Sequence, residues 1–224
     1  KEEVIPLLEK YIGGLPSIKR KETWKDVTPG FPKGLVVVDV PKNSEPQSQV
    51  AMVWKGNFKW KDDYRQEFSM LMNILAIKCR ESMREDQGGT YGISVNGSTS
   101  KYPTPKYTIS SRWGCNPDNI EKLSQTVLDE MNKIKKNGPT EEDVNKVKET
   151  MIRERETNMK DNNFWLSYIQ NHYTNGNKLL SLEEFKTFVN SFTAKQIQAV
   201  ANKYLNTQSY VEVALTPKPK EETK

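Results

Sequence analysis

The fold is decided by the stretch Arg84-Glu85-Asp86-Gln87-Gly88-Gly89-Thr90-Tyr91-Gly92, where the pattern of a long helix gives way to that of a strand. Upstream, apolar residues recur three or four positions apart over residues 62–83, which is typical of an amphipathic helix. Downstream, residues 91–95 alternate between large and small side chains, as a strand does. The two glycines between them give the backbone the freedom to leave the helix and turn sharply.

Arg84 and Tyr91 are the candidate binding residues of this switch, because the turn would bring the last helical turn close to the start of the strand. Arg offers a rigid fork of donors and Tyr a movable hydroxyl, so the two together could hold a peptide carbonyl or a carboxylate. A structural role is the alternative for each residue. An Arg in a last helical turn caps carbonyl groups and neutralises the helix dipole, and a Tyr at a strand start often belongs to the core.

The other elements predict an α+β fold, a mainly antiparallel sheet with helices packed on one face. Gly34–Val40 is rich in β-branched residues and predicts a buried strand, which we expect to form an antiparallel hairpin with a strand over Gln47–Gly56. A further strand is expected over 106–113, after a polar loop over 96–105. Helices follow behind capping residues at Asn116, Thr140, Ser181 and Thr193, with a final strand over 210–215.

The chain divides into four segments by composition. Residues 1–16 carry a helical pattern that ends at two glycines and a proline, and residues 17–33 are charged and proline-containing, as a linker is. Residues 34–217 form the main domain, and residues 218–224 form a charged tail that we expect to be mobile. Because Lys1 enters directly into a helical pattern, we expect the chain to be a piece of a longer protein.

Composition argues against several functional classes. The net charge is +5 and the mean hydropathy is −0.79, so the surface is very polar, and no apolar run reaches the length of a membrane span. Basic charge invites a nucleic-acid hypothesis, but Lys and Arg alternate with Asp and Glu along the predicted helices, which is typical of a solvated face. We therefore expect neither nucleic acid nor a membrane span among the partners.

Catalytic machinery is scarce in this sequence. His172 is the only histidine, so zinc sites and Ser-His-Asp or Cys-His sets are not expected, and a helix start accounts for the carboxylates Glu141 and Glu142. Cys79 lies on the apolar side of a helix, whereas Cys115 is expected in a turn; the sequence leaves open whether the two are free or bonded. We predict no catalytic residue and no metal ligand in this chain.

Several segments in the same order resemble the insulinase-like zinc metallopeptidases, the family of pitrilysin and mitochondrial processing peptidase, and in particular their inactive C-terminal domain. The family's Arg-Glu…Gly-x-x-Tyr segment is matched over 84–92, with Arg84 and Tyr91 seven residues apart. The other matching segments are Leu8–Pro16, Gly138–Lys148, Asn163–Trp165 and Tyr210–Pro217. Leu8–Pro16 resembles the end of the preceding family domain, which implies that residues 1–16 are the terminal helix of that domain. Each motif is weak by itself, and the ordered set is specific.

The resemblance implies homologous α+β domains paired into a chamber, with zinc bound through an H-x-x-E-H motif in a catalytic half outside this chain. That half would be an N-terminal part of the same protein or a partner subunit, and the chain alone would be inactive. The resemblance also implies that Arg84 and Tyr91 reach the active site, hold a peptide substrate and stabilise the oxyanion. The family favours the bacterial periplasm or cell envelope as the compartment.

Two other functions remain open at this point. The parent protein could be a non-catalytic structural or assembly subunit of the same family, against which the intact Arg84 and Tyr91 argue. A free-standing basic module that binds RNA or DNA would show salt-dependent binding to nucleic acid.

Overall fold

A computed structural model of the chain describes residues 1–23, 25, 27, 30–85 and 90–218, with the backbone alone described at Glu85, Thr90 and Tyr91. The chain forms two units, Lys1–Gly30 and Phe31–Lys224. The first contains helix α1 (Val4–Leu8), which continues as a π-helical turn over Glu9–Gly13 and ends at the predicted glycines. The boundary between the units lies within the stretch predicted as a linker. The predicted tail lies almost wholly outside the described residues.

The second unit contains a sheet and a layer of helices, which confirms the predicted α+β class. Its described strands are β1 (Leu35–Asn43), β2 (Ser48–Asn57), β3 (Thr90–Ser100), β4 (Lys106–Cys115) and β5 (Tyr210–Pro217). Its described helices are α2 (Asp62–Glu85), α3 (Ile120–Asn137), α4 (Glu141–Asn158), α5 (Asn162–Asn175), α6 (Leu182–Asn190) and α7 (Ala194–Tyr204). The side chains of Thr140, Ser181 and Thr193 cap α4, α6 and α7 through full capping boxes, as predicted.

The five strands lie in the order β1-β5-β2-β4-β3, and every neighbouring pair except β1 with β5 is antiparallel. The predicted mainly antiparallel sheet is therefore confirmed. The predicted hairpin between β1 and β2 is wrong, because β5 comes from the far end of the domain and lies between them. Strands that follow each other in sequence are usually neighbours, and that general tendency fails here.

The prediction that β1 is a buried strand is also wrong. Leu35 is 55% and Val37 is 61% exposed, since β1 is an edge strand that pairs only with β5 among the described strands. A run of β-branched residues indicates that a segment is extended, but it does not distinguish a central strand from an edge strand.

β3 is longer than predicted. The polar residues 96–100 belong to β3 and pair with β4, although their composition is typical of a loop. Cys115, expected in a turn, ends β4. The true loop between β3 and β4 is therefore only residues 101–105.

One face of the sheet carries the core and the layer of helices. Along β2, Val50, Met52 and Trp54 are buried, whereas Gln49 and Lys55 on the opposite face are exposed. This alternation has the period of two that a half-covered sheet requires. No helix among the described residues is both long enough and apolar enough to cross a membrane.

An aromatic cluster joins the sheet to the helices. The rings of Phe58, Phe68, Tyr107 and Tyr204 come from the β2–α2 connection, α2, β4 and α7, with centroids 5.1–5.8 Å apart. Contacts of this kind stabilise a core beyond the area that they bury, by about 0.5–1.5 kcal/mol per pair. These contacts hold the N-terminal part of α2, the helix that carries Arg84, against the sheet and α7.

Candidate functional site

Arg84 lies in the last turn of α2, where the sequence places it, and its side chain is exposed. It lines a groove of about 420 Å³ between α2 and α4, together with Arg80, Lys146 and Glu154. The guanidinium is therefore available to a ligand or to another protein domain. The groove lies on the helix layer, not on the uncovered face of the sheet.

A buried carboxylate ties the C-terminal half of α2 to α3. Glu130 is 4% exposed, and its Oε1 accepts a hydrogen bond of 2.8 Å from the Ser82 hydroxyl and one of 2.6 Å from the Lys133 ammonium. A buried charge that is paired and hydrogen-bonded in this way resists displacement. Ser82 is two residues from Arg84, so this contact fixes the last turns of the helix.

A second ion pair ties α2 to α4. The Lys78 ammonium lies 2.7 Å from Oδ1 of Asp143, which also belongs to the capping box of α4. Burial by itself would lower the pKa of Lys78 and raise that of Asp143. The hydrogen bonds of the pair and of Thr140 outweigh burial, so the pKa of Lys78 is raised and the pKa of Asp143 is lowered. Both groups are therefore charged at neutral pH, and the α2–α4 groove keeps its width.

Tyr91 lies at an irregularity near the start of β3. Between Thr90 and Ile93 the strand contains one more residue than the facing part of β4, which defines a β-bulge. Gly92 has φ +150°, a conformation that residues with side chains rarely adopt. Bulges change the direction in which a side chain points and are common beside functional sites.

Of the two predicted site residues, the structure describes the side chain of Arg84 but not that of Tyr91. Arg84 is described completely, and Tyr91 through its backbone. The side chain of Tyr91 and the predicted glycine turn over residues 86–89 lie outside the described residues.

The histidine and the two cysteines, which the sequence offers as metal ligands or nucleophiles, pack inside the fold. His172 is half-buried, with Nδ1 2.5 Å from the backbone carbonyl of Asn177. Cys79 and Cys115 are free and buried, and burial raises the pKa of the Cys79 thiol to about 12. A thiol with that pKa is inert at neutral pH.

The described residues do not fit a zinc site. No group of three His, Cys, Asp or Glu side chains comes together within the described part of the chain. With one histidine in the whole sequence, the H-x-x-E-H motif cannot occur in it either. The predicted site residues can therefore donate hydrogen bonds to a ligand, but the described part of the chain does not supply the set of ligands that zinc requires.

Sequence reasoning missed a cavity at the opposite end of α2. It is lined by Arg65, Arg155 and Asn177, among others, which come from α2, α4 and the α5–α6 connection. The only signal in the sequence was the aromatic helix over Asn162–Asn175, whose rings surround Arg155.

Comparison with known proteins supports the family suggested by the motifs. The family model described as the peptidase M16 inactive domain matches residues 1–151. A zinc protease PQQL-like protein of Arabidopsis thaliana is 28% identical over 108 residues, which is 46% of this chain and 11% of that protein.

Solved structures show the same fold. The periplasmic protease PqqL from Escherichia coli superposes with a TM-score of 0.75 at 18% identity, covering 97% of this chain and 24% of that one. A peptidase M16 inactive domain from Pseudomonas fluorescens gives 0.70 at 21% identity, covering 90% and 48%. The chain thus spans about a tenth of the curated relative that it matches and a quarter of PqqL. It belongs to the M16, or insulinase-like, peptidase family, as an inactive domain of that family.

Proposed function

We propose that this chain is the non-catalytic, substrate-clamping part of a zinc metalloendopeptidase. In this proposal it closes a peptide-binding chamber, and Arg84 and Tyr91 hold the substrate at a zinc site that another domain carries. The observation that carries the proposal is the position of Arg84. It lies exposed at the end of an anchored helix, and a bulge in the strand that follows contains its sequence partner Tyr91.

The chemistry of the two side chains suits this role. Attack on a peptide bond moves negative charge onto the carbonyl oxygen, and donors already aimed at that oxygen lower the barrier. A guanidinium carries its charge at every working pH, and a phenol donates one hydrogen bond without carrying a charge. The hydrogen bonds from Ser82 and Lys78 keep α2 in place, so little reorganisation of Arg84 would be needed.

β3 offers a second means of holding a peptide. It is a terminal strand of the sheet, and β4 is its only strand partner among the described residues. An extended peptide can add to such an edge through backbone hydrogen bonds that are indifferent to sequence. Because β3 begins beside Tyr91, a peptide bound there would run towards the proposed clamp.

The catalytic half would be a separate part of the same protein or a partner subunit. This chain spans a quarter of PqqL, so a protein as long as PqqL has ample room for a catalytic half beside this domain. When bound there, zinc supplies a polarised water as the nucleophile. Closure of the two halves would bring Arg84 to the substrate only when a peptide is enclosed, which couples binding to catalysis. Since PqqL is a periplasmic protease, we also propose the cell envelope as the compartment.

Kinetics of the full-length protein test the proposal. Arg84→Ala and Tyr91→Phe should each lower kcat/KM for peptide hydrolysis by about 100-fold, with most of the loss in kcat, because the lost contact is strongest in the transition state. The matched control is Arg153→Ala. It removes an Arg of α4 whose side chain is 79% exposed, and it should leave kcat/KM unchanged.

Unchanged kinetics in both variants of an active protein would overturn the clamp. A full-length protein without peptidase activity would instead support the alternative, a structural or assembly subunit of the same family. Because Arg84 is exposed, its removal should shift stability by no more than about 0.5 kcal/mol, so a loss of activity cannot be assigned to unfolding.

A further inference from the structure

A cavity of about 230 Å³ lies beside the first turn of α2, between that helix and the α5–α6 connection. We call it the Arg155 cavity, and its polar lining includes Asp62, Arg65, Arg155, Asn177 and Lys178. Arg84 lies nineteen positions after Arg65 on α2, which corresponds to about 28 Å along the helix axis. The cavity is therefore distinct from the site proposed above.

Arg155 is held inside a cage of aromatic rings. Its guanidinium carbon lies 4.6 Å from the ring centroid of Phe164, 4.1 Å from that of Tyr168 and 5.0 Å from that of Phe185. Cation–π contacts of this kind fix the orientation of the group while leaving its edge able to bind. The planar guanidinium is thus pre-positioned.

The charge of Arg155 has no counterion among the residues that the structure describes. Its Nη2 donates one hydrogen bond of 3.2 Å to the carbonyl of Leu180, and its Nε is buried without a partner. Asp62 is already occupied, because it lies 3.6 Å from Arg65 and accepts a 2.8 Å hydrogen bond from the backbone N–H of Lys178. A half-buried cation of this kind favours an anion in the adjoining space.

A buried acceptor lines the same cavity. Asn177 is 7% exposed, and its Oδ1 has no hydrogen-bond partner. The backbone around it is fixed, because its carbonyl oxygen contacts His172 and the hydroxyl of Tyr168 accepts a 2.5 Å hydrogen bond from the N–H of Leu180. An unsatisfied buried oxygen costs about 1–3 kcal/mol, so a ligand that brings an N–H to it would gain affinity.

We propose that the Arg155 cavity binds an α-carboxylate whose neighbouring nitrogen carries a hydrogen, on a residue with an apolar side chain. The carboxylate pairs with Arg155, the N–H donates to Asn177 and the side chain lies against Leu180, Phe185 and Phe188, which also line the cavity. A cavity of about 150 Å³ holds benzene, so this one has room for a residue of the size of leucine. A free amino acid and the carboxyl-terminal residue of a peptide both present this chemistry.

Calorimetric titration of the full chain tests the proposal without any substitution. N-acetyl-L-leucine or L-leucine should bind saturably, and the matching amide, N-acetyl-L-leucinamide or L-leucinamide, should bind at least about tenfold more weakly because it lacks the carboxylate. Binding of the acetylated compound and of glycyl-L-leucine would identify a peptide-terminus site. Binding of L-leucine alone would identify a free amino acid site.

Substitution identifies the binding residue. Arg155→Gln should weaken binding at least about tenfold, whereas Arg153→Gln, two residues away and exposed, should leave the Kd within about twofold. The proposal is wrong if the amides bind as tightly as the acids, if Arg155→Gln leaves the Kd unchanged, or if neither acid saturates at about 10 mM. If Arg155→Gln fails to fold, the comparison of acid with amide on the unaltered chain still decides.

Discussion

Glu212 is a carboxylate on the core side of the sheet. It lies on β5 between the inward-facing Tyr210 and Ala214, is 8% exposed and accepts a 3.0 Å hydrogen bond from the hydroxyl of Ser124. Burial raises the pKa of Glu212; the bond from Ser124 opposes this, and the charge of Glu121 adds to it. The folded state therefore binds the proton of Glu212 more tightly than the unfolded chain does.

The sign of the pH dependence follows from that raised pKa. The contribution of Glu212 to stability is fully present below the unfolded pKa and is lost as the pH rises through the folded pKa. Glu212→Gln should therefore stabilise the chain near pH 7.5 by about 1 kcal/mol, or about 2–4 °C in Tm, because it removes a buried charge and keeps an oxygen for Ser124. Thermal unfolding from pH 7.5 to pH 4.5 measures this gain, which should shrink towards the acid end.

The control for Glu212 is Glu45→Gln, which removes an exposed carboxylate from the β1–β2 turn and should leave Tm unchanged across the same range. A lower Tm for Glu212→Gln at pH 7.5 would show that the ionised carboxylate stabilises the fold and that burial does not penalise its charge.

Single residues also show which parts of a site the sequence can reveal. Arg84 was predictable because helix period and the following glycines set its place at a helix end from local spacing alone. The Arg155 cavity was not, because it forms from residues as far apart as Asp62 and Phe188. Nothing in the local sequence pattern indicates that these two residues meet, since only the packing of α2, α4 and α6 brings them together.

At the scale of elements, α2 and β3 form a closely packed pair. Gly97 faces the helix, and a Cβ atom at this position would lie 2.8 Å from Met72 Sδ and 2.8 Å from Phe68 Cε1. The strand therefore requires glycine there for close approach, not for an unusual backbone angle. This spacing fixes the distance from α2 to the strand that contains Tyr91.

Gly97→Ala should destabilise the chain by about 1–3 kcal/mol, since the added methyl group overpacks the contact between helix and strand. In a Met72→Ala background the same substitution should cost at least about 1 kcal/mol less, because one of the two obstructing side chains is absent. Chemical denaturation of the four chains gives this coupling. Ser98→Ala, at the next position of β3, is the control, and equal costs in both backgrounds would disprove the contact.

The errors at this scale share one cause. Composition predicts the correct kind of element for β1 and for the first part of β3, but it does not show where each strand lies in the sheet. The apolar run of β1 predicts a buried strand but lies at an edge, and the polar end of β3 predicts a loop but pairs with β4. Register and strand order depend on partner strands that are distant in sequence, and the strand propensity of a segment carries no information about those partners.

At the scale of the whole molecule, the second unit contains its own core. All the buried apolar residues that the structure describes lie between Val50 and Ala214, so none comes from the first unit. A unit with its own core can fold alone. The family assignment agrees with a modular protein, because the chain spans only a quarter of PqqL and about half of the Pseudomonas fluorescens domain.

Removing residues 1–30 should therefore leave the thermal unfolding of the second unit cooperative, with Tm changed by no more than about 3 °C. Removing residues 1–46 should lower Tm by about 5 °C or more, because it also deletes β1 and its hydrogen bonds to β5, including the 2.7 Å bond between Thr216 and Asp39. Differential scanning calorimetry of the two truncated chains beside the full chain separates the effects. An equal loss of Tm in both truncated chains would show that the first unit, and not β1, supplies the stability. The second unit, which contains Arg84, would then not be an independently folding domain.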